Sequence, residues 1–249
     1  MKKIYILPSH RDTASRNMAV DRTGLEYLKT CKHTLFRYYD WTDTATTFGY
    51  TQKWQALKQQ VPEPSSAIRR PTAGGIVHHE NSYTYMIASS NESELCKIRA
   101  NESYKIVHEW IQQALSYQKI PSEMVPCPRK CEVENTHATE SEPKAEKSLP
   151  SMECFLEAQT YDLIHKETHA KIAGAAQKRT RAGILIQGSL HLSNLNTDFN
   201  HQRFTHDFLS QYCRTYQLQE EPISWPDELE DEIEKWDKTF SSEDWQQKR

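Results

Sequence analysis

The chain has 249 residues, 37% of them hydrophobic and 26% charged, with a formal net charge of −3. That length fits one large domain or two small ones with a sizeable core, and the slight negative charge argues against a general nucleic-acid binder. No apolar run approaches the roughly 18 residues that span a bilayer, the first apolar stretch is too short for a signal peptide, and six scattered cysteines are unlike a disulfide scaffold, so a cytoplasmic protein with reduced thiols is expected.

Residues 4–7 are expected as a short strand. Residues 17–29 read as a helix, with Met18, Leu25 and Leu28 at roughly helical spacing and Thr13 or Ser15 as N-cap. Residues 34–41 alternate and are aromatic, which predicts a strand, followed by a turn over 46–52. A helix is expected over 54–60, ended by Pro62 and Pro64. Residues 67–70 and 75–79 read as strands around a tight turn, and 83–89 as a further strand. Residues 94–117 carry one helical pattern in Ile98, Tyr104, Val107, Trp110, Ile111 and Leu115.

From 130 to 148 the chain turns polar and acidic, which reads as a mobile surface loop. Strand signals return at 161–164 and 182–192, with Gly174 between them. Residues 205–214 read as a helix. The acidic end, 219–249, holds a helix over 226–236 with Leu229 and Ile233 as its thin apolar stripe. Strands and helices mix without βαβ alternation, so the fold class is α+β, and one domain over 1–249 is expected.

Glycine is used sparingly, 7 times in 249 residues, and its placement is informative. Gly74 and Gly75 follow Arg69-Arg70-Pro71-Thr72-Ala73. Gly174, Gly183 and Gly188 lie in the run from Lys171 to Leu190. A side chain is excluded where φ is positive or where backbone must approach a ligand. Arg69 and Arg70 beside that turn suit a carboxylate or phosphate; the alternative is a hairpin turn with solvated arginines. Cys154 becomes a nucleophile if a cation or base lies near, and Lys171, before a small apolar run, is a candidate. The alternatives are a small buried thiol and a solvated lysine. His78 and His79 are adjacent on a strand and so face opposite ways, and the Cys127 to His137 segment lacks a second ligand pair; no metal site is expected.

Four blocks then resemble the lipoate/octanoate transfer family, the biotin/lipoate A/B protein ligases. Arg16-Asn17-Met18-Ala19-Val20-Asp21 is similar to its N-terminal helix motif. Residues 35–41 through Phe48-Gly49-Tyr50-Thr51-Gln52 resemble its strand and Gly-x-x-Gln turn. Residues 69–80 resemble its Arg-Arg-x-[ST]-Gly-Gly segment. Residues 171–177 through Gln187-Gly188-Ser189-Leu190 resemble its lysine motif and His-Gly-[ST] strand. The resemblance covers a core of roughly 11–195. It implies a mixed, largely antiparallel sheet flanked by helices, and an apolar tunnel for an acyl chain. It also implies that Lys171 holds the acyl carbonyl, and that Arg69, Arg70, Thr72, Gly74, Gly75, His79, Gly174, Gln177 and Gly188 bind substrate.

Glu153-Cys154-Phe155 with Tyr161-Asp162-Leu163 further resembles the cysteine-lysine octanoyltransferases. That resemblance implies octanoyl-acyl carrier protein as donor, a thioester on Cys154 and no cofactor. The acceptor would be a lysine of a lipoyl carrier domain, such as glycine-cleavage H protein or a 2-oxoacid dehydrogenase E2. The alternative is an ATP-dependent lipoate-protein ligase using ATP, Mg and lipoate, with Cys154 a bystander. A third is a non-catalytic module that binds lipoyl domains, kept open by Ala73, Glu80 and Gln187, which depart from the family pattern. No accessory C-terminal domain is expected.

Overall fold

A computed structural model of the chain describes residues 2–42, 44–61, 66–127, 158–195 and 197–248. Cys131, His137, Cys154 and the polar stretch 130–148 lie outside the described residues, as do Pro62 and Pro64.

The first half carries β1 (Lys3–Ile6), β2 (Arg11–Asp12), α1 (Ala14–Tyr27), β3 (Thr34–Trp41), β4 (Thr46–Phe48), α2 (Trp54–Leu57), β5 (Ala67–Arg69), β6 (Ile76–His78) and β7 (Ser82–Ser90). Then come α3 (Glu94–Lys97), α4 (Ala100–Tyr117), β8 (Ser122–Met124), β9 (Leu163–His165), β10 (Lys171–Arg179) and β11 (Gly183–His191). The chain ends with α5 (His201–Tyr216), β12 (Gln219–Pro222), α6 (Glu230–Phe240) and α7 (Glu243–Gln246).

Among the described residues these strands form a nine-stranded sheet in the order β12-β1-β3-β7-β11-β10-β9-β8, with β2 beside β3. β12, β1 and β3 run parallel, and every later pairing from β3 to β8 is antiparallel. The expected mixed, largely antiparallel α+β architecture is therefore present. Strand alternation divides the core in two. Phe36, Tyr85 and Ile186 pack with α4 and α5 through Val107, Ile111, Phe204 and Phe208. Their neighbours Leu35, Met86 and Leu185 pack the other way, on α1 and α6 through Met18, Leu25, Ile233 and Phe240.

Several expectations change. Residues 94–117 are two helices, because Ile98 and Arg99 are extended (ψ 161° and 156°). The Glu102 carboxylate accepts the Arg99 N–H at 3.0 Å, and a fresh N-terminus starts there. The strands at 67–70 and 75–79 do not pair with each other: β4, read as part of a turn, lies between them in a small sheet β5-β4-β6. Residues 171–179, read only as the surroundings of Gly174, form the long strand β10. The helix at 54–60 closes after one turn, and the acidic helix starts at Glu230 rather than 226. Thr13 caps α1, its hydroxyl accepting the Arg16 N–H at 3.3 Å.

Candidate active site

A cavity of about 380 Å³ opens where the α1 side of the main sheet meets the small sheet. Tyr39 and Trp41 of β3, Thr84 of β7 and Gln187 of β11 supply sheet wall; Met18 comes from α1. The small-sheet side presents Thr47, Arg70, Gly74 and Val77. Tyr104, Asp162 and Lys171 line another part of the wall.

Lys171 is the first residue of β10, and its side chain is 5% exposed. Its Nζ lies 2.6 Å from Oδ2 of Asp162, whose side chain is 1% exposed. Burying an ammonium demands such a counter-charge. Asp162 is itself held from two directions: the Gln159 N–H donates to Oδ2 at 2.7 Å, and the Tyr104 hydroxyl donates to Oδ1. The Ala175 N–H donates to the same tyrosine oxygen at 3.1 Å. Burial, then the neighbouring Asp162 charge, pushes the Tyr104 hydroxyl well above its ordinary pKa, so it stays a donor.

Gly174 makes room for this group. A Cβ there would stand 2.9 Å from Cε and 3.0 Å from Nζ of Lys171. Behind Tyr104, His108 is fully buried and faces the Tyr104 carbonyl oxygen with Nδ1 at 3.0 Å. Nδ1 therefore carries the proton, while Nε2 has no partner among the described residues. Burial lowers the His108 pKa to about 4.

The α1 motif does its work beneath the cavity. Asp21 and Arg37 form a buried ion pair at 2.8 Å, and the Tyr39 hydroxyl donates to Asp21 at 2.9 Å. Arg37 also donates to the Asn17 carbonyl at 2.8 Å. The Gln187 amide donates to Asp21 Oδ2 at 2.6 Å, and its carbonyl accepts the Thr72 hydroxyl at 2.7 Å. Gln187 thus couples α1, β11 and the small-sheet loop.

The arginine pair separates as strand alternation requires. Arg69 is fully buried and is not among the cavity-lining residues. It donates to the backbone carbonyls of Tyr50 (2.8 Å), Gln52 (2.7 Å), Trp245 (3.0 Å) and Gln246 (2.6 Å). Read from sequence as an anion ligand, Arg69 instead ties α7 to the small sheet. Arg70 does line the cavity, and it donates to the Ala73 carbonyl at 2.6 Å and the Gly75 carbonyl at 2.9 Å, folding the turn around itself. Gly74 lines the cavity in the left-handed region at φ 93°. Thr72 and Gly75 are not lining residues; they bond to two that are, Gln187 and Arg70.

His79 lines the cavity stacked on Trp41, ring centroids 4.0 Å apart, with Nε2 2.9 Å from the Thr47 hydroxyl. Burial, helped by Arg70, pushes its pKa well below the ordinary histidine value, so the ring is neutral. Gln177 also lines the cavity and donates to the Ala100 carbonyl at 2.8 Å. Gly188 lies under the Tyr85 ring, and Cys127 contributes a half-buried thiol to the wall. Asp162, Tyr104 and Ser189 also line it, though sequence reading did not select them. No group of three His, Cys, Asp or Glu among the described residues is placed to hold a metal ion.

A model of the lipoyl protein ligase A/B catalytic domain matches residues 13–219. The chain is 27% identical over 239 residues to an octanoyltransferase LipM of Brevibacillus brevis, covering 91% of this chain and 81% of that protein. Against the octanoyltransferase LipM of Bacillus subtilis it is 28% identical over 183 residues, 71% of this chain and 60% of that one. In fold it is similar to a bipartite lipoate protein ligase of Thermoplasma acidophilum described with its E2 lipoyl domain. That likeness has TM-score 0.70 and 13% identity over 99% and 96% of the two chains. It is likewise similar to a lipoate-protein ligase A bound with ATP (TM-score 0.68, 14% identity, 99% of each chain).

Proposed function

The chain belongs to the lipoyl protein ligase A/B catalytic-domain family, and from that premise we propose that it transfers an octanoyl or lipoyl group to a lysine of a lipoyl carrier domain. The observation that carries the proposal is the buried Lys171 ammonium, fixed by Asp162 in the wall of a partly apolar cavity. An acyl chain fits such a cavity, and a desolvated ammonium beside its carbonyl stabilises the negative charge that develops on oxygen. Lys171 is well suited to this work, because low surrounding polarity strengthens the interaction and Asp162 prevents it from swinging away.

The octanoyltransferase relatives favour octanoyl transfer, and the Glu153-Cys154-Phe155 sequence context supports octanoyl-acyl carrier protein as donor, with no ATP. In that reading the Cys154 thiolate attacks the donor thioester, expels the carrier sulfur as a thiolate and holds the octanoyl group as a new thioester. The amine of the acceptor lysine then displaces Cys154. The acceptor is a lipoyl domain of the H-protein or E2 kind. The role of Cys154 rests on its sequence context, since it lies outside the described residues.

A second reading is an ATP-dependent ligase taking free lipoate with ATP and Mg. The fold likeness to a ligase bound with ATP favours it. Lys171 would then face the acyl phosphate oxygen, and Cys154 would be dispensable. Transfer of octanoate from acyl carrier protein to a lipoyl domain without ATP, lost in Cys154→Ala, is the outcome expected of the first reading. Modification that needs ATP and survives Cys154→Ala would assign the second.

A further inference from the structure

Ser189 carries a polar atom that the described residues leave unused. The residue is 5% exposed and lines the cavity, and its Oγ has no hydrogen-bond partner among the described residues. Buried hydroxyls are ordinarily bonded, so an orphan aimed into a ligand cavity points to a partner that arrives with the ligand.

The sheet register says where that hydroxyl stands. Ser189 of β11 lies directly opposite Gly174 of β10 and opposite Thr84 of β7. Directly opposed residues project to the same face as close neighbours. On that face, the position a Gly174 Cβ would take is 3.0 Å from Lys171 Nζ. The Ser189 hydroxyl and the Lys171 ammonium therefore converge on one patch of wall. Thr84 is already occupied, since its Oγ1 accepts the Trp41 indole N–H at 3.0 Å.

We propose that Ser189 is a catalytic residue: its hydroxyl donates to the carbonyl oxygen of the bound acyl group and shares that oxygen with Lys171. The inference deepens the acyl-transfer reading above and rests on it. As a nucleophile's lone pair bonds to the carbonyl carbon, the C=O π pair moves onto oxygen. The resulting oxyanion accepts one hydrogen bond from Ser189 and one from Lys171. When the C=O bond re-forms, the leaving group departs with its bonding pair: the carrier sulfur leaves as a thiolate when the Cys154 thiolate attacks, and the Cys154 sulfur takes up the proton released by the acceptor amine in the second step. Ser189 and Lys171 end the step with the protons they began with. Ser189 is not itself the nucleophile, because no base among the described residues is bonded to its hydroxyl to take the proton.

The test compares the full-length wild type with Ser189→Ala and Ser189→Thr. Octanoyl-acyl carrier protein serves as donor and a lipoyl domain as acceptor, with a parallel assay on lipoate and ATP. Ser189→Ala is expected to lower kcat about 100-fold, with KM little changed and an undiminished melting temperature, since the hydroxyl makes no bond among the described residues. Ser189→Thr keeps the hydroxyl and is expected to recover most of the rate. Wild-type kcat in Ser189→Ala, or a threonine variant no better than alanine, overturns the inference while leaving acyl transfer in place. A wild type inert in both assays overturns the acyl-transfer reading and this inference with it.

Discussion

The ammonium of Lys171 lies 2.6 Å from Oδ2 of Asp162, and both side chains are almost closed to water. Replacing Asp162 by Asn keeps the shape but removes the counter-charge. An uncompensated buried ammonium costs about 3 kcal/mol or more, so the urea midpoint of Asp162→Asn should fall markedly. The loosened lysine should also cost roughly 100-fold in kcat. Unchanged stability and rate in this variant would mean that the pair does not organise the site.

Gly174→Ala tests the same group by volume alone. The new methyl would meet Cε at 2.9 Å and Nζ at 3.0 Å, so the lysine head must move. Transfer activity is expected to fall by about 10- to 100-fold, because a displacement near 1 Å is enough for such a loss. Acceptor binding, measured by calorimetry, should hold.

Arg69 and α7 form a structural lock rather than a ligand cradle. Besides the four carbonyls that the arginine binds, its N–H donates to the Gln246 side chain at 2.6 Å, and the Trp245 indole donates to its carbonyl at 2.8 Å. Arg69→Lys cannot reproduce the planar fan of donors, and stability should drop on the order of 2 kcal/mol. Hydrogen exchange at 243–246 should accelerate at the same time. A variant that loses acyl-donor affinity with no change in exchange would restore the anion-binding role read from the sequence.

Much of this architecture is legible in the chain, and the failures have physical causes. The alternation in 34–41 marks β3 because its residues face two different helical layers. β10 escapes notice because Ala173-Gly174-Ala175-Ala176 lacks the branched and aromatic side chains that signal a strand. Its small residues instead admit the Lys171 head and the Tyr104 hydroxyl. The helix break at Ile98 is hidden because apolar spacing continues across it. Asp162 and Tyr104 are 58 positions apart in sequence and meet only through the fold. Arg69 is the instructive miss. Adjacent strand residues face opposite ways, so the Arg69-Arg70 pair already implied that one guanidinium would turn away from any shared ligand.

Acid should weaken the fold through its buried histidines. His108 has a folded pKa of about 4, below its ordinary 6.5. The unfolded chain therefore binds a proton that the native chain refuses between those values. Stability from this group is complete above about pH 6.5 and is lost as pH falls towards 4; the full shift corresponds to roughly 3 kcal/mol. Urea midpoints at pH 7 and pH 5 should differ in the wild type, and the difference should shrink in His108→Phe. An equal slope in both proteins would contradict the assignment.

In the proposed transfer, Cys154 carries the acyl group while Lys171 steadies its carbonyl. The most direct measurement is the intact mass of the purified protein after incubation with octanoyl-acyl carrier protein in the absence of ATP, with Cys154→Ala and Cys127→Ser alongside. One octanoyl adduct is expected, removed by hydroxylamine, absent in Cys154→Ala and retained in Cys127→Ser. No adduct on the wild-type protein, or one that persists in Cys154→Ala, would contradict the proposed transfer.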